Sequence, residues 1–252
     1  MMTSLPEPFL SVPLAHRALH DRAAGRPENS RAAVRAAIEA GYGIEIDLQL
    51  SRDGVAMVFH DETLDRLTGE SGPVRARDAD ALARIALSGG DEGIPTLSEI
   101  LQIVGGRVPL LVEIKDQDGA LGPGVGALEE AAAAALSGYA GPVACMSFNP
   151  HSMTALGRAV PALPRGLTTC AFAAADWPEV PEERRAALTA IGDLSRVGGS
   201  FVSHDHRALD APRLAEIRSE GLPVLTWTIR SPAEEAAARR VADNITFEGY
   251  AP

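Results

Sequence analysis

The chain has 252 residues, 46% of them hydrophobic, and a formal net charge of −11. That length and apolar content suffice for one large core, so a single domain over residues 1–252 is expected. The acidic balance argues against nucleic acid or an anionic membrane as the main partner. Two cysteines, Cys145 and Cys170, make no disulfide framework, and both lie in apolar segments that read as core. The first ten residues lack a basic start and a long apolar stretch, and no apolar run approaches membrane-spanning length. The expectation is a soluble cytoplasmic protein with no stable membrane insertion.

Residues 12–19 read as a first strand that carries His16 and Arg17 near its end. Asn29 or Ser30 can cap a helix running to about residue 40, which Gly41 closes. Residues 43–50 (GIEIDLQL) then form a strand of unusual character. Side chains two apart on a strand share a face, so Glu45, Asp47 and Gln49 oppose Ile44, Ile46 and Leu48. The turn Arg52-Asp53-Gly54 leads into a short strand over residues 55–60, returning beside the last one. Residues 61–95 are broken by glycines and read as an insertion with one short helix near residues 78–85.

From residue 96 a strict alternation begins. Helices are expected over 97–104, 126–136, 150–160, 182–194, 211–220 and 232–242. Strands are expected over 108–115, 143–148, 165–169, 200–203, 223–229 and 244–247. Strands alternating with helices imply parallel βα units, and about eight main strands imply a TIM-type (β/α)8 barrel. Too few residues follow Gly249 for a last outer helix, so either the barrel lacks it or the N-terminal segment covers the gap.

Active sites of such barrels form at the C-terminal strand ends. The polar residues fall there: His16 and Arg17, then Glu45 and Asp47, then His60 and Asp61, then Glu113 and Lys115, and finally Trp227. Buried like charges need neutralising, and a hard divalent cation with oxygen ligands does this. Glu45, Asp47 and Glu113 are the candidate ligands for Mg²⁺ or Ca²⁺. Arg17 and Lys115 add positive charge suited to a phosphate. His16 and His60 are the candidate acid and base. The chemistry is metal-assisted phosphoryl transfer.

The run His16-Arg17, Pro27-Glu28-Asn29, Glu45-x-Asp47, Asp53-Gly54, His60-Asp61, Leu64-Asp65-Arg66-x-Thr68-Gly69 and Glu113-Ile114-Lys115 resembles the glycerophosphodiester phosphodiesterases. The match extends over nearly the whole chain. The resemblance implies a TIM barrel with a small insertion after the second strand. It implies metal-dependent hydrolysis of glycerophosphodiesters to glycerol 3-phosphate and an alcohol. In that family the substrate's own neighbouring hydroxyl attacks first, and water then opens the cyclic phosphate. By resemblance His16 and His60 are the acid–base pair, and Glu45, Asp47 and Glu113 hold the metal. Arg17 and Lys115 contact the phosphate, and Trp227 borders the glycerol. The partner is therefore a small molecule.

The chain departs from the family pattern at two places. Ala18 replaces a usual glycine after His-Arg, where a methyl either narrows the pocket or changes nothing. Near the end the family tends to read Gly-x-x-x-x-x-Asp-x-Pro, where this chain runs Asp243 to Tyr250; Glu248 at that strand end either binds a head group or faces water, and water is favoured. His20 reads as a surface residue, His204 as part of a solvated loop, and His151 as a helix start. Alternative readings are a phospholipase or lysophospholipase D acting on a lipid, and a non-catalytic barrel that binds a phosphodiester. The first wants an apolar docking rim, and aromatics are only 4%. The second predicts loss of a histidine or carboxylate, and all five are present.

Overall fold

Strand β2 (Gly43–Leu50) is buried along nearly its whole length, and its neighbours explain why. Ile44, Ile46 and Leu48 join the main apolar cluster between the sheet and its helices, while the other face looks into a barrel. The computed structural model describes residues 3–252. Eight parallel strands close the barrel: β1 (Leu14–Ala15), β2, β4 (Leu110–Ile114), β5 (Val143–Ser147), β6 (Arg165–Thr169), β7 (Phe201–Asp205), β8 (Val224–Ile229) and β9 (Asn244–Phe247). Closure is made by β1, which pairs with β2 through Leu14↔Gly43 and with β9 through Leu14↔Thr246. The hairpin strand β3 (Ala56–Val58) pairs antiparallel with the end of β2, outside the barrel.

The helices are α1 (Pro8–Ser11), α2 (Arg31–Ala40), α3 (Ala79–Leu82), α4 (Leu97–Val104), α5 (Ala127–Leu136), α6 (Pro150–Ala159), α7 (Glu182–Thr189), α8 (Pro212–Ser219) and α9 (Pro232–Ala238). Local chemistry sets their ends. Ser30 caps α2 by accepting from the Ala33 amide, and Gly41 ends it at φ +76°, a left-handed conformation that suits glycine. Thr96 and Glu99 form a reciprocal capping box on α4. Asn149 caps α6 with Pro150 in the first turn, so His151 does sit at a helix start. Among the described residues, no helix is long and apolar enough to cross a membrane.

Three elements depart from the sequence expectation. The first strand is only two residues long, because Arg17 and Ala18 adopt φ +50° and +64° and turn the chain out of the sheet. Helices α7 and α9 stop several residues before positions 194 and 242. The N-terminal segment does not stand in for a last outer helix. Leu5 and Phe9 instead pack with Leu14, Leu111, Phe201 and Leu225, the inward-facing apolar layer at the N-terminal end of the strands. Asn244 fastens this plug by donating to the carbonyls of Phe9 (2.8 Å) and Val12 (2.7 Å). Among the described residues no helix follows β9, and Phe247 is covered by Tyr42 and Tyr250, with ring centroids 4.8 and 5.8 Å away.

The insertion has its own small apolar cluster, including Phe59, Leu64, Leu82 and Ile94. Its end is clamped by Arg31, which donates to the Gly93 carbonyl (2.8 Å) and to Glu99 (2.8 Å). Gly93 is required there: a Cβ would lie 1.8 Å from the Ala83 carbonyl oxygen.

The plug is a testable part of the core. Phe9 is fully buried, so Phe9→Ala should cost about 3–5 kcal/mol in chemical denaturation. A loss below about 1 kcal/mol would show that the segment does not close the barrel.

Candidate active site

The inward face of β2 carries Glu45 and Asp47, and β4 carries Glu113 in register with Asp47. All three carboxylates are buried, at 2%, 1% and 6% exposure. Their oxygens lie within 4.8 Å of one another, close enough to share one cation. Water cannot solvate this charge, so the protein must. Lys115 Nζ lies 2.6 Å from Glu113 Oε1 and 2.7 Å from Asp47 Oδ1. Arg17 Nε is 3.7 Å from Asp47 Oδ2, and Asn29 Nδ2 donates to the same oxygen at 2.9 Å. The Arg17 amide donates to Glu45 at 2.9 Å, an arrangement made possible by the left-handed turn at Arg17 and Ala18.

Three acids face two cations here, so one negative charge is left over. The acids divide accordingly. Burial, together with Asp47 and Glu113, pushes Glu45 well above the ordinary carboxyl range. Burial would raise Asp47 too, but Lys115, His60 and Arg17 outweigh it and hold it far below that range. Lys115 is correspondingly raised, because Asp47 and Glu113 more than offset its burial. The rise at Glu45 favours its neutral form, which eases the excess of negative charge. A hard divalent cation can replace the Glu45 proton, and three carboxylate oxygens are the donor set such an ion takes. The residues fit the group.

The two histidines flank this centre. His16 follows β1, and its Nδ1 lies 2.6 Å from Glu248 Oε2. His60 follows β3, and its Nδ1 lies 2.7 Å from Asp61 Oδ1. Asp61 would be raised by burial, but its bonds to His60 and Arg66 hold it well below its usual range. Arg66 then bridges Asp61 (2.6 Å) and Glu28 (2.9 Å), and Glu28 accepts from Arg17 Nη1 at 2.7 Å. A continuous set of charged hydrogen bonds therefore runs from His60 through Asp61, Arg66 and Glu28 to Arg17, whose Nε stands 3.7 Å from Asp47 as an ion pair without a hydrogen bond.

Across the mouth stands an aromatic wall. Trp227 donates its Nε1–H to the Ser203 carbonyl (3.0 Å) and meets Phe148 edge-on at 5.6 Å. Trp177 lies against Phe148 (5.0 Å) and Phe172 (5.2 Å). A cleft of about 400 Å³ opens here, lined by Phe172, Asp176, Trp177, Asp205, Arg207 and Trp227.

The model of the glycerophosphoryl diester phosphodiesterase family matches residues 16–244. The chain belongs to this family. It is 36% identical over 151 residues to a glycerophosphodiester phosphodiesterase of Caldanaerobacter subterraneus, an alignment covering 56% of this chain and 60% of that one. It is 29% identical over 213 residues to a glycerophosphodiester phosphodiesterase of Bacillus subtilis, covering 76% and 68%. The fold superposes on an Oleispira antarctica phosphodiesterase in complex with sn-glycerol-3-phosphate, with TM-score 0.77, 22% identity and coverage of 96% and 94%. It also superposes on a Thermotoga maritima glycerophosphodiester phosphodiesterase, with TM-score 0.69, 24% identity and coverage of 94% of each chain.

For this family member the structure gathers seven of the eight sequence-chosen residues at one end of the barrel: Glu45, Asp47 and Glu113, their cations Arg17 and Lys115, and the flanking His16 and His60. Trp227 stands apart, on the opposite wall. Several expectations change. Ala18 is buried in the core and does not narrow the site; its φ of +64° explains the family's preference for glycine. His204 is not in a solvated loop: it lies within β7 at 3% exposure, with Nδ1 2.7 Å from Thr169 Oγ1. Glu248 does not simply face water, since it bonds His16, and His20 is partly buried with Nε2 3.5 Å from Glu248. Cys145 and Cys170 are buried, and burial pushes the Cys145 thiol up to about 12. The roles of Glu28, Asp61 and Arg66 were missed, although all three lie in the quoted motif.

The charge balance can be tested without metal. In EDTA, Lys115→Met leaves three buried acids with too little compensation and should cost about 3–5 kcal/mol. Glu45→Gln should raise the melting temperature at neutral pH. The sign follows from linkage: a carboxyl raised in the folded state loses stability as pH climbs through its folded value, and Gln removes that loss. A melting temperature for Glu45→Gln at or below wild type at pH 7.5, with no narrowing of the gap at pH 4.5, would contradict the assignment.

Proposed function

We propose that the chain hydrolyses glycerophosphodiesters to glycerol 3-phosphate and an alcohol, using one divalent cation. The observation that carries this reading is the cluster of three buried carboxylates compensated by Lys115 and Arg17. Such a centre suits an anionic substrate in an acidic protein, because it concentrates positive charge once its acids are engaged. The relatives' names and the glycerol 3-phosphate product in the Oleispira antarctica complex support the choice of substrate.

In this reading Glu45, Asp47 and Glu113 hold Mg²⁺ or Ca²⁺, which when bound offsets charge on the phosphoryl oxygens. Arg17 and Lys115 orient the phosphoryl group, Arg as a planar fork and Lys as a point charge. The neighbouring glycerol hydroxyl attacks phosphorus as one imidazole takes its proton. The bond to the alcohol breaks, and the other imidazole protonates the departing oxygen. Water then opens the cyclic phosphate with the two roles exchanged, so both rings return to their starting states. Asp61 holds Nδ1 of His60 and so aims its other nitrogen. Trp227 and its aromatic neighbours border the glycerol arm of the diester.

The test is release of glycerol 3-phosphate from glycerophosphocholine, with and without EDTA. EDTA should abolish release, and Mg²⁺ or Ca²⁺ should restore it. His60→Ala should lower kcat by about 10²–10⁴-fold while metal affinity changes little. Glu45→Ala should weaken metal binding first. Tight binding of the diester without metal-dependent release would make the protein a binding module instead, and full activity in His60→Ala would overturn the acid–base roles.

A further inference from the structure

Glu248 is a carboxylate at the barrel mouth that takes no part in the metal cluster or the Asp61–Arg66 chain. Its place is fixed by the strands. The Glu248 amide donates to the Ile229 carbonyl (3.0 Å), and the His16 amide donates to the Phe247 carbonyl (2.8 Å). The pairing of β1 with β9 therefore sets Glu248 beside His16 although they are far apart in sequence. One oxygen, Oε2, lies 2.6 Å from His16 Nδ1 and 3.5 Å from His20 Nε2. The other, Oε1, accepts from Arg230 Nε at 2.7 Å.

An ionised carboxylate only accepts hydrogen bonds. The bond from His16, with the His20 ring and Arg230 close by, holds Glu248 ionised far below its usual range. At 2.6 Å the proton must then sit on Nδ1 of His16, in the neutral ring as well as in the charged one. Nε2 makes no hydrogen bond to any described residue and keeps its lone pair. Burial, helped by the Arg17 charge, lowers His16 despite the pull of Glu248 and Asp47, which favours the neutral ring. Two histidines and a carboxylate also suit a second metal ion, but Arg230 already places a cation on this carboxylate.

We propose that Glu248 is the positioning residue for His16, fixing Nδ1 as the protonated nitrogen so that Nε2 takes the proton of the attacking hydroxyl. This rests on the phosphodiesterase reading above. In the first step the proton moves from the hydroxyl to Nε2 as the new P–O bond forms, and His60 gives its proton to the departing alcohol. In the second step His60 takes a proton from water, and His16 returns its own to the ring oxygen as the cyclic P–O bond breaks. No other co-reactant is needed. Glu248 stabilises the imidazolium between the two steps without touching the substrate.

The experiment pairs kinetics with a spectroscopic signature. Nitrogen NMR of the ¹⁵N-histidine-labelled full chain should show His16 as the Nδ1–H tautomer in the wild type. In Glu248→Gln the amide can donate to Nδ1, so the Nε2–H tautomer should appear. With glycerophosphocholine and saturating Mg²⁺, Glu248→Gln should lower kcat about a hundredfold while KM stays within about threefold. A wild-type Nε2–H tautomer, or a Glu248→Gln variant with wild-type kcat, would overturn the proposal. Because the tautomer is read without substrate, failure of the phosphodiesterase reading would show separately, as absent wild-type turnover.

Discussion

The register that places Asp47 of β2 opposite Glu113 of β4 imposes a demand on everything around it. Two unit charges about 4 Å apart at an effective dielectric near 20 repel by about 4 kcal/mol. Three such acids share this site, and the whole fold is stable by only about 5–15 kcal/mol. The barrel cannot form around these side chains unless positive charge is built in with them. Lys115 does most of this because it lies two residues beyond Glu113, just past the end of β4, and reaches back to both Glu113 and Asp47. Arg17 does the rest from the adjacent strand end. Its left-handed backbone is part of the solution, since that turn both aims the guanidinium at Asp47 and presents the Arg17 amide to Glu45. Stability and chemistry therefore use the same contacts.

That demand explains the insertion. Arg17 is shared with Glu28, and Glu28 with Arg66, so the charges of the barrel mouth continue into residues 61–95. Arg66 is half exposed, and on its own such a pair adds little. Here it fixes Asp61, and Asp61 fixes His60. The apolar cluster under Leu64 and Leu82 and the clamp at Arg31 keep this segment from drifting. A loop that merely covered the site would not need so many fixed bonds to its edge.

The readable parts of the sequence were those in which chemistry and periodicity coincide. Glu45 and Asp47 stand out because an alternating strand puts both on one face, and Glu113 and Lys115 repeat the pattern. The start of α2 at Asn29 or Ser30 is local and was legible for the same reason. What stayed hidden depends on contacts distant in sequence. Nothing local to Glu248 says that β9 lies beside β1, so its bond to His16 could not be read. His204 follows a short apolar run and looks like loop, because only the neighbouring Thr169 and Thr226 on β6 and β8 give it buried partners. The plug at Phe9 was obscured by Pro6 and Pro8, which signal an irregular start rather than a core element. The shortness of β1 comes from backbone angles at Arg17 and Ala18 that no residue type there demands.

The barrel mouth divides into two walls of different chemistry. Strands β1, β2 and β4, with the end of β3, supply the carboxylates, the cations and both imidazoles. Strand β8 supplies Trp227, the residue following β5 is Phe148, and the loop after β6 carries Phe172 and Trp177. The proposed substrate has a similar division, with one anionic phosphorus centre and an uncharged glycerol arm. An aromatic wall opposite the charges excludes water from them, and each ion pair and hydrogen bond gains strength as water leaves. A polar wall in its place would bring solvent to Asp47 and Lys115, weaken the field they set, and relax the need for the network that holds His60. The apolar side of the mouth therefore belongs to the electrostatic design as much as the charges do.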